Sequence, residues 1–260
     1  MQENKVYDES LIKKLKEDFK KDSGDFAYDI SLLDKANSRF KKEGVYIGDL
    51  YLDTNTNNSS SLCIILPGCP SYYNENIVKY LGIFGFDAAV IHYSGTGKSK
   101  GSIFRDPAED VRDAVDFYKD RYEKIFIFAN SYGGYVAFTL NKETIQNVYK
   151  IICISPAISL SEVIGIETLS EYVTKERADW YRFSKETFSD YIAKSTRKQI
   201  SYPEKFVIFH GAKDMQINSV DVEEYARLQN IKFIEFSDEE HLSLNKFLNK
   251  KVRFLLPEIS

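Results

Sequence analysis

From about residue 61 onward the chain alternates short apolar runs with longer amphipathic ones. That rhythm limits the possible folds more than any single motif. Ser61–Leu66, Phe86–His92, the run that starts at Lys124, Lys150–Ser155, Phe206–Phe209 and Ile231–Phe236 are short and rich in β-branched and aromatic residues. Their continuous apolar character suits strands buried on both faces. Between them, residues 77–84 and 107–122 carry helical spacing. The second is the stronger: Pro107 stands near its start, acids fill its first turn, and Val111, Ala114, Val115 and Tyr118 share one face. Buried strands separated by such helices imply a parallel sheet with helices on both faces.

Several segments depart from the rhythm. Residues 45–52 roughly alternate apolar and polar, as an edge strand of an antiparallel pair would. Upstream, residues 8–43 read as two helices broken at Ser23-Gly24, with Leu11, Ile12, Leu15 and Phe19 on the first and Ile30, Leu32, Leu33, Ala36 and Phe40 on the second. Residues 157–202 are polar and aromatic, with Tyr172, Trp180, Tyr181, Phe183, Phe188 and Tyr191 in what read as two or three helices. A closing helix is expected over about 245–255. The organisation expected is an N-terminal helical extension over 1–44 and an α/β core over 45–260, interrupted by an insertion over about 157–202.

Composition excludes several function classes. A net charge of −4 over 260 residues, with no sustained basic stripe, leaves no electrostatic footprint for nucleic acid. No apolar run approaches the roughly 18 residues of a membrane span, so no stable membrane insertion is expected. The opening residues Met1 to Lys5 lack the apolar core of a secretion signal. Cys63, Cys69 and Cys153 lie in or beside apolar runs without metal-ligand spacing. They read as reduced thiols, and a cytoplasmic location is expected. Tyr93-Ser94-Gly95-Thr96-Gly97-Lys98-Ser99 looks at first like a phosphate-binding loop, but His92 stands where that motif requires its first glycine. Nucleotide binding is therefore not expected.

One stretch carries chemistry. In Ile127-Phe128-Ala129-Asn130-Ser131-Tyr132-Gly133-Gly134, a buried strand runs into a helix, with small residues two before and two after the serine. A sharp strand-to-helix turn needs that spacing, because the backbone on either side passes too close for larger side chains. The serine is then held strained with its hydroxyl exposed, and the following amides point toward the same space. Asp214 and His241 each fall just beyond the carboxyl end of a later strand, where parallel sheets bind ligands. The chain has three histidines. His92 precedes the serine, and His210 resembles the histidine of a His-Gly-x-x-Asp turn of the kind that orients an acid-bearing loop.

Ala129-Asn130-Ser131-Tyr132-Gly133 resembles the nucleophile elbow of the α/β-hydrolase superfamily, with Ala129 in place of the usual first glycine. The order Ser131, Asp214, His241 is the order of that family. Pro67-Gly68-Cys69-Pro70 is similar to its His-Gly-x-Pro oxyanion loop, with Pro67 replacing the histidine. The segment from His92 to Ser99 is similar to its Asp-x-Arg-Gly-x-Gly-x-Ser loop, with His92 and Ser94 replacing the aspartate and arginine. The resemblance covers about Val45 to Leu255 and leaves the two N-terminal helices unexplained. It implies an α/β-hydrolase fold: a mostly parallel sheet with helices on both faces and a small helical lid over about 157–202. It further implies Ser131 as nucleophile, His241 as base, Asp214 as acid, and the amides of Cys69 and Tyr132 as oxyanion donors. Tyr93 and Trp180 would contact substrate, with no metal or organic cofactor.

The reaction so implied is cleavage of a small-molecule carboxylic ester or thioester through an acyl-enzyme. A peptidase is less favoured, since nothing in the sequence supplies a gating domain or a site for a peptide terminus. Two alternatives stay open at this stage. One is an acyltransferase or cyclising thioesterase that uses the same residues. The other is a non-catalytic ligand-binding protein on the same fold.

Overall fold

The structure, a computed structural model, describes residues 41–56, 58–69, 78, 81, 82, 84–100, 105–251 and 258. Eight strands form one sheet: β1 (Lys41–Ile47), β2 (Leu50–Thr56), β3 (Ser61–Leu66), β4 (Asp87–His92), β5 (Lys124–Asn130), β6 (Lys150–Ile154), β7 (Phe206–Gly211) and β8 (Lys232–Phe236). Their order across the sheet is β1-β2-β4-β3-β5-β6-β7-β8. From β4 to β8 all neighbours are parallel, while β2 runs antiparallel to both β1 and β4. The six apolar runs are thus the six parallel strands. The described helices are α1 (Pro107–Tyr118), α2 (Tyr132–Phe138), α3 (Lys142–Gln146), α4 (Ile166–Lys175), α5 (Lys185–Lys194), α6 (Ser219–Gln229) and α7 (Leu244–Lys250).

Alternate residues of each strand feed two separate cores. From β5, Ile125, Ile127 and Ala129 pack with Val111, Ala114 and Val115 of α1 and Val136 of α2. Phe126 and Phe128 face the other way, toward Val78, Leu81, Phe247 and Leu248. These side chains are fully or almost fully buried. Each large one contributes about 1.5–3 kcal/mol of apolar burial. A sheet sandwiched in this way must carry apolar residues at every position of its central strands, which is why those runs lack alternation.

Local signals set the boundaries. Asp106 caps α1 by accepting from the Ala108 amide at 3.0 Å. That helix ends at Tyr118 rather than at Tyr122, because Tyr122 turns away to donate its hydroxyl to Asp87 at 2.9 Å. Gly85, at φ +86°, ends the helical turn that contains Leu81 and Gly82. The alternation over 45–52 belongs to two strands, not one: Gly48, at φ +59°, turns the chain so that Ile47 pairs with Leu50. β1 begins at Lys41, so residues 41–43, expected to end a helix, and the boundary expected at residue 44 both fall inside a strand. The remainder of the expected N-terminal helices lies outside the described residues, as does the closing helix beyond Lys251.

Between β6 and β7 the chain makes its longest excursion outside the sheet, through a 3-10 turn (Leu160–Glu162), α4 and α5. Ser195 stitches the excursion closed. Its hydroxyl donates to Ile192 O at 2.7 Å and accepts from the amides of Leu160 and Ser161 at 2.9 and 3.1 Å.

Candidate active site

Ser131 lies between β5 and α2 at φ +52° and ψ −112°, a conformation that costs a non-glycine residue about 1–3 kcal/mol. The surroundings hold it there. Its amide donates to Ile154 O at 3.0 Å, and its carbonyl accepts from Ala157 N at 3.0 Å. The close approach foreseen for the turn is real. A Cβ on Gly133 would sit 2.2 Å from the Leu66 carbonyl oxygen, and one on Gly134 would sit 2.3 Å from Pro156. Asn130, just before the serine, donates to Ile154 O at 2.9 Å and to Leu242 O at 2.8 Å. The turn is therefore fastened to the loop that carries His241. Ser155 adds a second fastening by accepting from the Leu242 amide at 3.0 Å.

Asp214 and His241 meet beyond the ends of β7 and β8. His241 Nδ1 lies 2.7 Å from Asp214 Oδ2. Asp214 Oδ1 accepts from the amides of Gln216 and Ile217 at 2.9 and 3.0 Å. Burial pushes the Asp214 carboxyl up. The hydrogen bond and charge of His241, with the two amides, outweigh it and hold the group below the usual carboxylate value. A carboxylate so held stays ionised against a histidine that gains a proton. Gly211 makes room for the histidine loop, since a Cβ there would lie 2.1 Å from the Glu240 carbonyl oxygen. The His241 side chain is one-fifth exposed, and no hydrogen bond joins it to Ser131. Nucleophile–base hydrogen bonds are often long before substrate binds.

His210 sits in the turn expected to orient the acid loop. Its Nε2 meets Ile217 O at 3.1 Å and Asp214 Oδ2 at 3.5 Å. Burial lowers its pKa despite the nearby Asp214 charge, which keeps it neutral. His92 is taken up by a different partner, Asp53 of β2, at 2.8 Å.

The expected oxyanion loop lies against the serine: a Cβ on Gly68 would sit 3.2 Å from the Ser131 Cβ. The amides of Cys69 and Tyr132 donate to no other described residue. Burial pushes the Cys69 thiol up to about 12, against the opposing hydrogen bond of the Tyr181 hydroxyl. Beside this loop lies a cavity lined by Pro67, Cys69, Tyr93, Tyr132, Trp180 and Phe188, among others. Tyr93 and Trp180 thus both reach it. Asp214 and His241 meet, and their loop is tied to the turn at Ser131 through Asn130 and Leu242, whereas the cavity flanks the expected oxyanion loop.

Three contributors were not foreseen from the sequence. Asn130 and Ser155 fasten the loops, and Asn130's place next to the serine was the available signal. Asp110, seen only as a first-turn acid of α1, is fully buried. Burial raises its carboxyl to about 6, against the bonds from the Ser94 amide and hydroxyl at 2.7 and 2.8 Å. Among the described residues no cluster of three His, Cys, Asp or Glu could hold a metal ion, and no helix is long and apolar enough to cross a membrane.

The mixed sheet, the strained serine at its centre and the paired Asp and His at its edge define an α/β-hydrolase-type enzyme. More particularly, the sequence profile of the family described as serine aminopeptidase, S33 matches residues 58–230, and the chain belongs to that family. No curated protein sequence matches it. Among solved structures it is similar to an esterase of Pyrococcus furiosus, at 17% identity and a TM-score of 0.64, over 87% of this chain and 92% of that one. It is also similar to an α/β serine hydrolase homologue from Coxiella burnetii, at 15% identity and a TM-score of 0.54, over 83% and 95% of the two chains. A third is an α/β serine hydrolase of Xanthomonas campestris described as having no lid, at 13% identity and a TM-score of 0.54, over 85% and 96%. At these identities the likeness is one of fold.

Proposed function

We propose that the protein is a serine hydrolase that cleaves a small carboxylic ester or thioester through an acyl-enzyme. The observation that carries this reading is the 2.7 Å pairing of His241 with buried Asp214, fastened through Leu242 and Asn130 to the strained turn at Ser131. Ser131 Oγ attacks the acyl carbon while His241 Nε2 accepts its proton, and Asp214 holds the ring by Nδ1 and stabilises its charge. The carbonyl oxygen, now negative, receives the Cys69 and Tyr132 amides, each such donor worth about 3–4 kcal/mol. His241 returns the proton to the leaving alcohol or thiol. Water, deprotonated by His241, then releases the acid and regenerates Ser131.

An ester reading is favoured over an aminopeptidase one by the walls of the adjoining cavity. No acidic side chain among the described residues lines it, so none of these walls offers a carboxylate to a substrate ammonium group. The insertion over 157–202 acts in this proposal as a lid, and the residues from β1 onward as the core it covers. Labelling with a fluorophosphonate, mapped by mass spectrometry, tests the assignment. Modification of Ser131 is expected, and it should vanish in His241→Ala and Ser131→Ala. A folded protein that turns over esters at the wild-type rate as Ser131→Ala would overturn it.

A further inference from the structure

We propose that Ser155 and Asn130 are positioning residues of the reaction, which hold His241 in register with Ser131 by gripping both backbone polar groups of Leu242. The inference rests on Ser131, Asp214 and His241 acting as proposed above, and adds what sets the base in place. It starts from backbone strain. Five described residues other than glycine have positive φ. Asn58 lies in the loop between β2 and β3, Tyr202 opens a 3-10 turn, and Asn230 ends α6. The other two, Ser131 and Ser155, directly follow the neighbouring strands β5 and β6. Ser155 takes no part in the proposed chemistry, yet it is fully buried and held at φ +41°. Strain of this kind is kept where function needs it. A glycine would take that φ with no Cβ to strain, so what a serine adds is its hydroxyl. That hydroxyl accepts from the amide of Leu242, the residue after His241, at 3.0 Å.

Leu242 is held by its carbonyl as well. Asn130 Nδ2 donates to Leu242 O at 2.8 Å and to Ile154 O at 2.9 Å, which occupies both amide hydrogens. The Leu242 side chain is fully buried in the core that contains Phe209 and Phe247. On the other side of His241 the chain is anchored elsewhere: Lys213, next to Asp214, donates its amide to Glu239 O at 2.9 Å. His241 is thus strung between the loop of the acid and the turn of the nucleophile. The side-chain oxygen of Asn130 also borders the expected oxyanion loop, since a Cβ on Gly68 would lie 3.6 Å from it. One asparagine therefore links the serine turn, the histidine loop and the loop at Gly68. A base must come within hydrogen-bond reach of the proton it takes. With no hydrogen bond between the His241 ring and Ser131, these backbone grips set how far the base stands from the hydroxyl.

The test measures kcat and KM for p-nitrophenyl butyrate per Ser131 labelled to completion with diisopropyl fluorophosphate, together with Tm. Ser155→Gly and Ser155→Ala both delete the hydroxyl, but only glycine relieves the φ. Both should lower kcat per labelled site by about 10- to 100-fold, the scale of a misplaced catalytic group, with KM within about 2-fold. Ser155→Gly should melt a few degrees above Ser155→Ala, so that activity follows the hydroxyl while stability follows the backbone. Asn130→Leu, which keeps the shape and removes both donor hydrogens, should show the same kcat loss. Should that variant not fold, the two Ser155 variants decide. Wild-type kcat per labelled site in Ser155→Gly and Ser155→Ala would overturn the inference and leave the serine assignment standing. So would a loss confined to Ser155→Ala, which would make the effect one of stability. Unlabelled Ser131 in the wild-type protein, with no ester cleaved, would overturn the serine assignment and this inference with it.

Discussion

Two histidines in this molecule hold a carboxylate at almost the same distance: His241 meets Asp214 at 2.7 Å and His92 meets Asp53 at 2.8 Å. What separates them is the other ring nitrogen. In His92 the Nδ1 accepts from the Lys98 amide at 3.2 Å, the ring lies edge-on to Tyr51, and Trp180 covers it at 5.3 Å. Lys98 also reaches Asp53 and Tyr51, so the cluster is saturated. In His241 the second nitrogen has no described partner and the side chain stays partly open. A His–carboxylate pair with both nitrogens occupied can only be a strut, whereas one with a nitrogen left open, as in His241, fits the base proposed above. Pair geometry by itself does not tell the two apart.

The comparison can be broken by mutation. The largest effect is expected from His241→Ala, which should lower kcat by about 10⁴-fold or more while leaving Tm within a degree or two. Asp214→Asn should follow with a loss of about 10³–10⁴-fold, because the ring loses its fixed tautomer and the charge that stabilises its protonated form. His92→Ala should do the reverse, lowering ester turnover by less than about 10-fold but stability by about 1–3 kcal/mol. Thermal melts and steady-state rates on the same preparations separate the two patterns. If His92→Ala were as damaging to turnover as His241→Ala, the strut and the base would have to be reassigned.

The smallest expected effect concerns acid. Burial of Asp53 raises its carboxyl, but His92, Tyr51 and Lys98 outweigh this and bring it from 3.8 to about 2. A depressed carboxylate stabilises the fold above its unfolded pKa and loses that contribution as pH falls through the folded value. The contribution should therefore be complete above about pH 4 and gone near pH 2, amounting to about 1 kcal/mol after solvent screening. Asp53→Asn should melt below wild type at pH 7, and the gap should close as the pH approaches 2. A constant gap across that window would mean that the pair acts by packing, not by charge.

How much of this was legible in the sequence follows from which contacts are local. The parallel strands were legible because burial on both faces leaves them uniformly apolar, and Ser131 because a tight turn admits only small neighbours. Asp214 and His241 could be nominated from their places after strands and from chain order. The partner of His92 could not, since Asp53 reaches it only through the antiparallel pairing of β2 with β4, in which Tyr51 stands opposite His92. The turn at Gly48 hid because the alternation of β1 carries over into β2. Nor could the pairing of 180–182 with 95–99 be read: it joins two irregular segments about 85 residues apart, without hydrophobic periodicity to announce it.

Ser195 has a consequence for how such a molecule can change over time. Because one hydroxyl gathers the start and the finish of the β6–β7 excursion, everything between Ser161 and Ile192 is a cassette whose two ends already touch. A shorter or differently shaped cassette could be spliced at that seam without re-routing a strand, since bridging ends already in contact adds little closure entropy. Ser131, Asp214 and His241, the nucleophile, acid and base of the proposed reaction, all lie outside the seam. The reaction could therefore be inherited intact while the substrate is exchanged along with the cassette.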